Sequence, residues 1–175
     1  MSNFEELIAK YESILPDSKN EEFGKLGIIE ILENFEDVRV LPFFLKVFVD
    51  ENEYDLARVE IAKILALRNA ENKQENREIF QSLMLVLNNS EDDYLVRQYA
   101  AMAIQNYSEI EEVFEFASHI ILNPDEDIEV RYNVLDVFER EGATERTIRI
   151  FRELLNDEEF QKTASEILKE WDQEI

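Results

Sequence analysis

Residues 92–104 read DDYLVRQYAAMAI, and their apolar side chains recur with the period of an α-helix. Counted from Arg97, apolar residues stand at positions −1, +3, +4, +6 and +7. These offsets place them on one face of a helix, whereas a β-strand would need strict alternation. The stretch therefore predicts an amphipathic helix that has to bury its apolar face against another element.

The same pattern occurs elsewhere in the chain. Residues 53–65 (EYDLARVEIAKIL) repeat it around Arg58, and residues 126–138 (EDIEVRYNVLDVF) repeat it around Arg131. With two weaker copies, the anchor positions are 25, 58, 97, 131 and 161. Their separations of 33, 39, 34 and 30 residues are typical of helical repeat proteins. The longest interval contains a polar stretch, residues 68–77, which predicts an extended loop.

Another amphipathic segment precedes each anchored helix. Apolar residues mark these segments at residues 4–15, 40–48, 79–87, 113–121 and 148–155. Ten helices in five antiparallel pairs thus account for nearly the whole chain, and three glycines with three prolines are too few for a β-sandwich. Since no helix can bury its apolar face alone, the predicted fold is all-α, a right-handed α-solenoid of about five helix pairs. Residues 1–175 are predicted to form a single domain.

Two segments resemble the HEAT-repeat family of α-solenoids. Residues 40–50 (VLPFFLKVFVD) resemble the first helix of a HEAT repeat, including the position of the proline. Residues 123–131 (NPDEDIEVR) resemble the turn and the start of the second helix. The resemblance covers about residues 38–138. It implies a role in binding other proteins, with the second helices forming the concave wall.

Aspartate precedes arginine by four residues in two copies, as Asp93/Arg97 and Asp127/Arg131. The resemblance implies that such residues form a ladder between neighbouring repeats. The alternative is a local pair within one helix, since this orientation stabilises a helix by about 0.2–0.5 kcal/mol. Either role is structural.

The 41 acidic and 18 basic residues give a net charge of −23. Residues 89–139 hold 13 acidic and two basic residues, so the charge is concentrated there. Such a surface repels nucleic-acid phosphates and anionic membranes, and it speeds the encounter with a basic protein. The sequence therefore predicts a basic protein partner, no nucleic acid and no membrane, and it leaves the oligomeric state open. Solubility alone is the alternative explanation of the charge.

The turn inside a helix pair is acidic in four repeats. These turns are residues 50–53 (DENE), 91–93 (EDD), 125–127 (DED) and 157–159 (DEE). Carboxylates at helix N-termini are favoured by capping and by the helix dipole, which accounts for one or two acids per turn. The remaining acids predict an acidic ridge along one edge of the solenoid.

Nothing in the sequence supports catalysis. The chain has no cysteine and one histidine, His119, so zinc and Cys–His chemistry lack a ligand set. Residues 125–136 fail as a calcium-binding EF-hand because Val130 occupies the glycine position and Asp136 the glutamate position. We expect no enzymatic activity, no cofactor and no metal site. Without a signal-peptide pattern or an apolar run of membrane-spanning length, the sequence predicts a cytoplasmic protein.

The binding surface is expected on the second helices, at offsets +1, +2 and +5 from each arginine, which point away from the core. Val59 and Lys63 hold such positions. The predicted partner-binding residues are Tyr54, Glu60, Tyr94, Gln98, Tyr99, Met102, Tyr132, Asn133 and Asp136. Exposed tyrosines among acids suit a protein interface, because tyrosine adds contact area with little loss of entropy. Packing at helix edges is the alternative explanation of the tyrosines.

Two functions from different classes remain open. The first is a non-catalytic scaffold, or an inhibitor or immunity-type protein, that binds a basic protein partner. The second is a small-ligand or cofactor-handling protein, because HEAT-like repeats also occur in phycobilin lyases, which this chain resembles at the level of the repeat only. A HEAT-like DNA glycosylase is disfavoured, since its cleft would have to be cationic.

Overall fold

The computed structural model describes residues 3–14, 24–68 and 72–173, and every regular element in these ranges is helical. The α-helices are α1 (Phe4–Ser13), α2 (Lys25–Glu33), α3 (Val40–Val49), α4 (Asp55–Leu67), α5 (Lys73–Asn88), α6 (Tyr94–Ile104), α7 (Glu111–Ile121), α8 (Ile128–Asn133), α9 (Leu135–Glu141), α10 (Glu145–Leu154) and α11 (Gln161–Glu170). A short 3-10 helix, Gln105–Tyr107, follows α6. The all-α prediction is confirmed for these residues.

Side-chain caps start several of these helices. The side chain of Asn72 accepts a hydrogen bond from the backbone N–H of Glu75 at the start of α5. Asp127 caps α8 by accepting from two backbone N–H groups, and Thr144 caps α10 by accepting from one. Caps of this kind satisfy N–H groups that lack a partner in the first turn of a helix.

Three helix boundaries differ from the sequence prediction. Helix α5 begins at Lys73, so the second half of the predicted loop 68–77 is helical, because Asn72 supplies a cap; residues 69–71 lie outside the described residues. The helix predicted around Arg131 is interrupted at Val134, which separates α8 from α9. Helix α1 ends at Ser13, and Leu15 lies outside the described residues.

The chain divides into two compact units, residues 1–103 and residues 104–175. In the first unit α1 packs on α2, α2 on α4, and α3 on both α4 and α5. In the second unit α7 packs on α8 and α9, and α10 packs on α11. Neighbouring helices along the chain therefore pack together within each unit, as the amphipathic pattern requires.

Aromatic side chains fill much of the core of the second unit. Phe138 meets Phe114 with ring centroids 5.2 Å apart, and it meets Phe151 at 6.4 Å. Phe151 in turn meets Trp171 at 5.3 Å. All three contacts are edge-to-face, the arrangement that aligns the positive ring edge with the negative ring face.

In three places, a buried arginine near the start of a second helix bonds to the end of the preceding helix. The Nε atom of Arg58 donates to the carbonyl of Phe48 at 2.9 Å, and a nitrogen of Arg97 donates to the carbonyl of Leu87 at the same distance. Arg131 donates two hydrogen bonds to the carbonyl of Ile121, at 3.0 and 2.7 Å. In each case the acceptor lies ten residues earlier, in the last turn of the preceding helix, where carbonyls lack partners within the helix.

Two of these arginines, Arg58 and Arg131, also bond forward to the turn before the next second helix. Both terminal nitrogens of Arg58 contact the Asp92 carboxylate at 2.6 Å, and the Arg58 side chain is fully buried. Arg131 pairs with Asp157 through one terminal nitrogen, and the buried Lys25 of α2 pairs with Glu53. We call these three ion pairs the anchor ladder. The local alternative for Asp127 and Arg131 is wrong, because Asp127 caps α8 while Arg131 reaches Asp157.

Replacing Arg58 by alanine is expected to lower the free energy of unfolding by about 3–5 kcal/mol, because a buried carboxylate and a helix-end carbonyl lose their partner. Denaturant unfolding followed by circular dichroism measures the change. The control is Lys46→Ala, which removes an exposed pair with Glu12 (3.6 Å) and should cost about 0.5 kcal/mol or less. Equal losses for the two variants would contradict a structural role for the Arg58 pair.

Candidate protein-binding surfaces

In the first unit, polar contacts hold the acidic turns at residues 50–53 and 91–93 to neighbouring parts of the chain. The side-chain amide of Asn89 donates to the Glu51 carboxylate at 3.1 Å, and Arg58 holds Asp92. Glu53 points back to Lys25 and also accepts from the backbone N–H of Tyr54 at 2.7 Å. This edge of the first unit is therefore fixed by its own polar contacts.

Many of the acids in these turns have structural partners. Asp93 accepts from two backbone N–H groups at the start of α6, and Asp50 accepts from the backbone and side chain of Asn52. Asp157 accepts from two backbone N–H groups as well as from Arg131. Four exposed residues of these turns have carboxylates without these roles: Glu91, Asp125, Glu158 and Glu159. Capping and pairing thus use more of the acids than the sequence indicated, and about one acid per turn is left for an acidic ridge.

Two ladder carboxylates, those of Asp92 and Asp157, have pKa values below that of an ordinary aspartate. Burial on its own would raise the pKa of Asp92, but hydrogen bonds from Arg58 and its positive charge hold that pKa below its usual range. The pKa of Asp157 is lowered by Arg131 in the same manner, against the effect of burial. Asp55 behaves in the opposite way, because burial and the negative charges of Asp93 and Asp92 raise its pKa above the usual range.

These shifts predict opposite pH effects for two neighbouring aspartates. A carboxyl whose pKa is lowered by folding stabilises the protein above the unfolded-state pKa of about 4, and this stabilisation is lost as the pH falls through the folded-state pKa. Asp92→Asn should therefore reduce stability at pH 7, with a smaller penalty below about pH 4. Asp55→Asn should cause no loss at pH 7. Thermal unfolding between pH 7 and pH 3 measures both, and a pH-independent penalty for Asp92→Asn would contradict the assignment.

The nine predicted binding residues fall into two separate groups. The first unit holds Tyr54, Glu60, Tyr94, Gln98, Tyr99 and Met102, and the second holds Tyr132, Asn133 and Asp136. In the first unit the ammonium of Lys63 lies 3.0 Å from Glu60 and 5.3 Å from the centre of the Tyr99 ring. Lys63 thus joins a predicted residue of α4 to one of α6. Tyr94 and Met102 are exposed, while Tyr54 and Gln98 are partly buried.

In the second unit Tyr132 is engaged in packing within the fold. Its hydroxyl donates to the carbonyl of Glu159 at 3.1 Å, and its ring lies 4.5 Å from the ring of Phe160. The edge-packing explanation therefore applies to Tyr132. Asn133 is partly buried and Asp136 is exposed.

Two exposed leucines of α4 were missed by the sequence analysis. Leu56 and Leu67 stand at offsets −2 and +9 from Arg58, on the same face as Glu60 and Lys63. Offset +1 was a wrong choice in α4, because Val59 is buried against the core. The helical period counted from Glu60, rather than the three chosen offsets, would have found both leucines.

Two open grooves lie beside α10, with volumes of about 320 and 390 Å³. Their lining residues are Thr144, Glu145, Arg146, Ile148, Arg149, Arg152 and Gln173. Arg146 is committed to the fold, since it pairs with Glu111 and Glu141 and its guanidinium lies 4.0 Å from the centre of the Phe114 ring. Charged side chains dominate both grooves, unlike the mostly apolar lining of small-molecule sites.

Within the described residues, His, Asp and Glu side chains form no group of three or more that is arranged to hold a metal ion. His119 lies exposed near the end of α7. Among the described helices, none combines the length and the apolar character that crossing a bilayer requires.

By its fold the chain is an all-α protein of packed helix pairs. Comparison with protein-family models, with curated proteins and with solved structures found no match.

Proposed function

We propose that this protein is a non-catalytic protein-binding module that holds a basic protein partner, as a scaffold or as an inhibitor of the immunity type. The architecture proposed for it is a right-handed, HEAT-like α-solenoid of about five antiparallel helix pairs. The anchor ladder supports this architecture, because each buried cation links one helix pair to the turn of the next. Curved surfaces of solenoids are commonly used for binding.

The observation that carries the proposal is the exposure of large apolar side chains on second helices of a highly charged protein. Leu67 is 81% exposed, Leu56 44% and Met102 43%, and all three lie on α4 or α6. Apolar side chains that share a surface and are rimmed by polar residues mark interaction sites. A net charge of −23 then favours a basic partner through faster, steered association.

In the part of the chain that the structure describes, the two grooves beside α10 do not favour the small-ligand alternative. The grooves beside α10 are open and charged, and a cofactor-sized ligand is usually enclosed by mostly apolar walls. We therefore propose the protein-binding role alone.

The test is affinity capture from the lysate of the native host, eluted with a salt gradient. Three columns carry the wild type, the double variant Tyr94→Asp/Met102→Asp, and the control Leu85→Asp on the exposed face of α5. We expect one basic protein on the wild-type and control columns, released as salt shortens the screening length from about 10 Å at 0.1 M to about 3 Å at 1 M. It should be absent from the double variant. Failure to retain any basic protein, or retention unaffected by salt, would contradict the proposal.

A further inference from the structure

The exposed side chains of α4 form one narrow stripe. Leu56, Glu60, Lys63 and Leu67 are separated by four, three and four residues, which places them in line on one side of the helix. The equivalent positions, counted from Arg97, are Leu95, Tyr99 and Met102 in α6 and Asn106 in the 3-10 helix that follows. Leu95 and Tyr99 are partly buried and Met102 is exposed.

The two stripes lie next to each other within the first unit. The contact of Lys63 with the Tyr99 ring bridges α4 and α6 at mid-stripe. At the start of the helices, the Arg58–Asp92 ion pair holds the turn before α6 against α4. We call the surface made of Leu56, Glu60, Lys63, Leu67, Leu95, Tyr99 and Met102 the α4–α6 face.

The apolar character of this face is not a property of the repeat. The corresponding positions of the other second helices are Gly27, Glu30 and Asn34, then Glu129, Asn133, Asp136 and Arg140, then Glu159, Thr163, Glu166 and Glu170; the remaining position, Phe23, lies outside the described residues. The described side chains at these positions are polar or charged, apart from the glycine, although the same anchor pattern positions them. Stacking of helix pairs therefore does not require exposed leucine, tyrosine or methionine at these places, and the α4–α6 face needs a separate explanation.

Acids border the face at the N-terminal ends of its helices. Glu60 is balanced by Lys63, but Asp55, 3.9 Å from Arg58, shares that cation with Asp92. Burial and the negative charges of Asp93 and Asp92 outweigh the positive charge of Arg58 and raise the pKa of Asp55. A cation from a partner placed there would relieve the repulsion among these carboxylates.

We propose that the α4–α6 face binds a single amphipathic α-helix of the basic partner. Apolar side chains of that helix lie on Leu56, Leu67 and Met102, and its lysines or arginines lie beside Asp55 and Asp93. This inference rests on the function proposed above and specifies the part of the partner that is recognised.

A helix suits this face better than an extended segment. The stripe from Leu56 to Leu67 is about 16 Å long, the length of a partner helix of about eleven residues. Helices bind such surfaces through apolar residues that recur every three or four positions, and flexible methionine and leucine side chains adapt to them. The described residues of this chain offer no strand edge on which an extended peptide could form a β-ladder.

Two synthetic 15-residue peptides of leucine, lysine and alanine, identical in composition, test the proposal. One peptide places leucines at helical spacing with lysines on both flanks, and the other alternates leucine and lysine. The labelled peptides are titrated with the full-length protein at low and high salt. We expect the helical pattern to bind at least about tenfold more tightly and to gain helix on binding.

Matched variants locate the site of binding. Leu67→Glu and Met102→Glu should each weaken binding of the helical peptide by about tenfold, while Leu85→Glu, on the 63% exposed leucine of α5, should change it less than about twofold. All three substitutions add one negative charge, so attraction of the basic peptide cannot explain a difference between them. Unchanged unfolding midpoints confirm that the variants are folded.

Each contrary outcome has a distinct meaning. Equal binding of the two peptides, or equal effects of Leu67→Glu and Leu85→Glu, overturns the helix-binding inference. The proposed function survives that result if a basic host protein is still captured in a salt-sensitive way, and it fails if none is captured. A further outcome is self-association of the protein, measured by analytical ultracentrifugation. If Met102→Glu abolishes the self-association and the helical peptide does not compete with it, a second copy of this chain is the occupant. That result also overturns the inference.

Discussion

A buried guanidinium group near the start of a second helix makes two kinds of contact at once, and the positions of the surrounding elements depend on it. Arg58 completes the end of α3 by donating to the carbonyl of Phe48, and it holds the turn before α6 through Asp92. Such a pair contributes little net stability over an apolar replacement, yet losing one partner is costly. Its effect is to specify which helix end and which turn come together. Arg131 repeats the arrangement with Ile121 and Asp157.

This constraint changes the meaning of the acidic turns. The acids at Asp92 and Asp157 are needed by the cations of the preceding helix pairs, and those at Asp93 and Asp127 are needed by helix N-termini. Many of the acidic residues in these turns therefore stabilise the fold. Exposed carboxylates such as Glu91 contribute to the electrostatic field around the protein. Such a field influences the rate of association more than the geometry of a complex.

The sequence predicted the helices and their anchors well, because amphipathic periodicity is a local property. It could not assign the carboxylate partner of Arg131, since Asp127 and Asp157 are both aspartates near helix starts and only the packing of α10 and α11 decides between them. The interruption at Val134 has no local signal either, because neither glycine nor proline stands there. Exposure was predicted for Met102 and is observed, whereas the exposed Leu56 and Leu67 were missed because only the offsets +1, +2 and +5 from each arginine were considered.

A repeated scaffold separates the residues that maintain the fold from those that are free to vary. The anchor positions keep their cation in α2, α4, α6 and α8, while the outward stripe changes from leucine and methionine in α4 and α6 to glutamate and asparagine in α8 and aspartate in α9. Because exposed apolar side chains gain nothing from water, their presence on two adjacent helices calls for a surface that covers them. The Arg58–Asp92 ion pair fixes α4 against the turn before α6, and a surface that is already fixed loses less entropy on binding. In the proposed binding role, specificity resides in a few side chains of α4 and α6, and the charge of the remaining surface speeds the encounter with the partner.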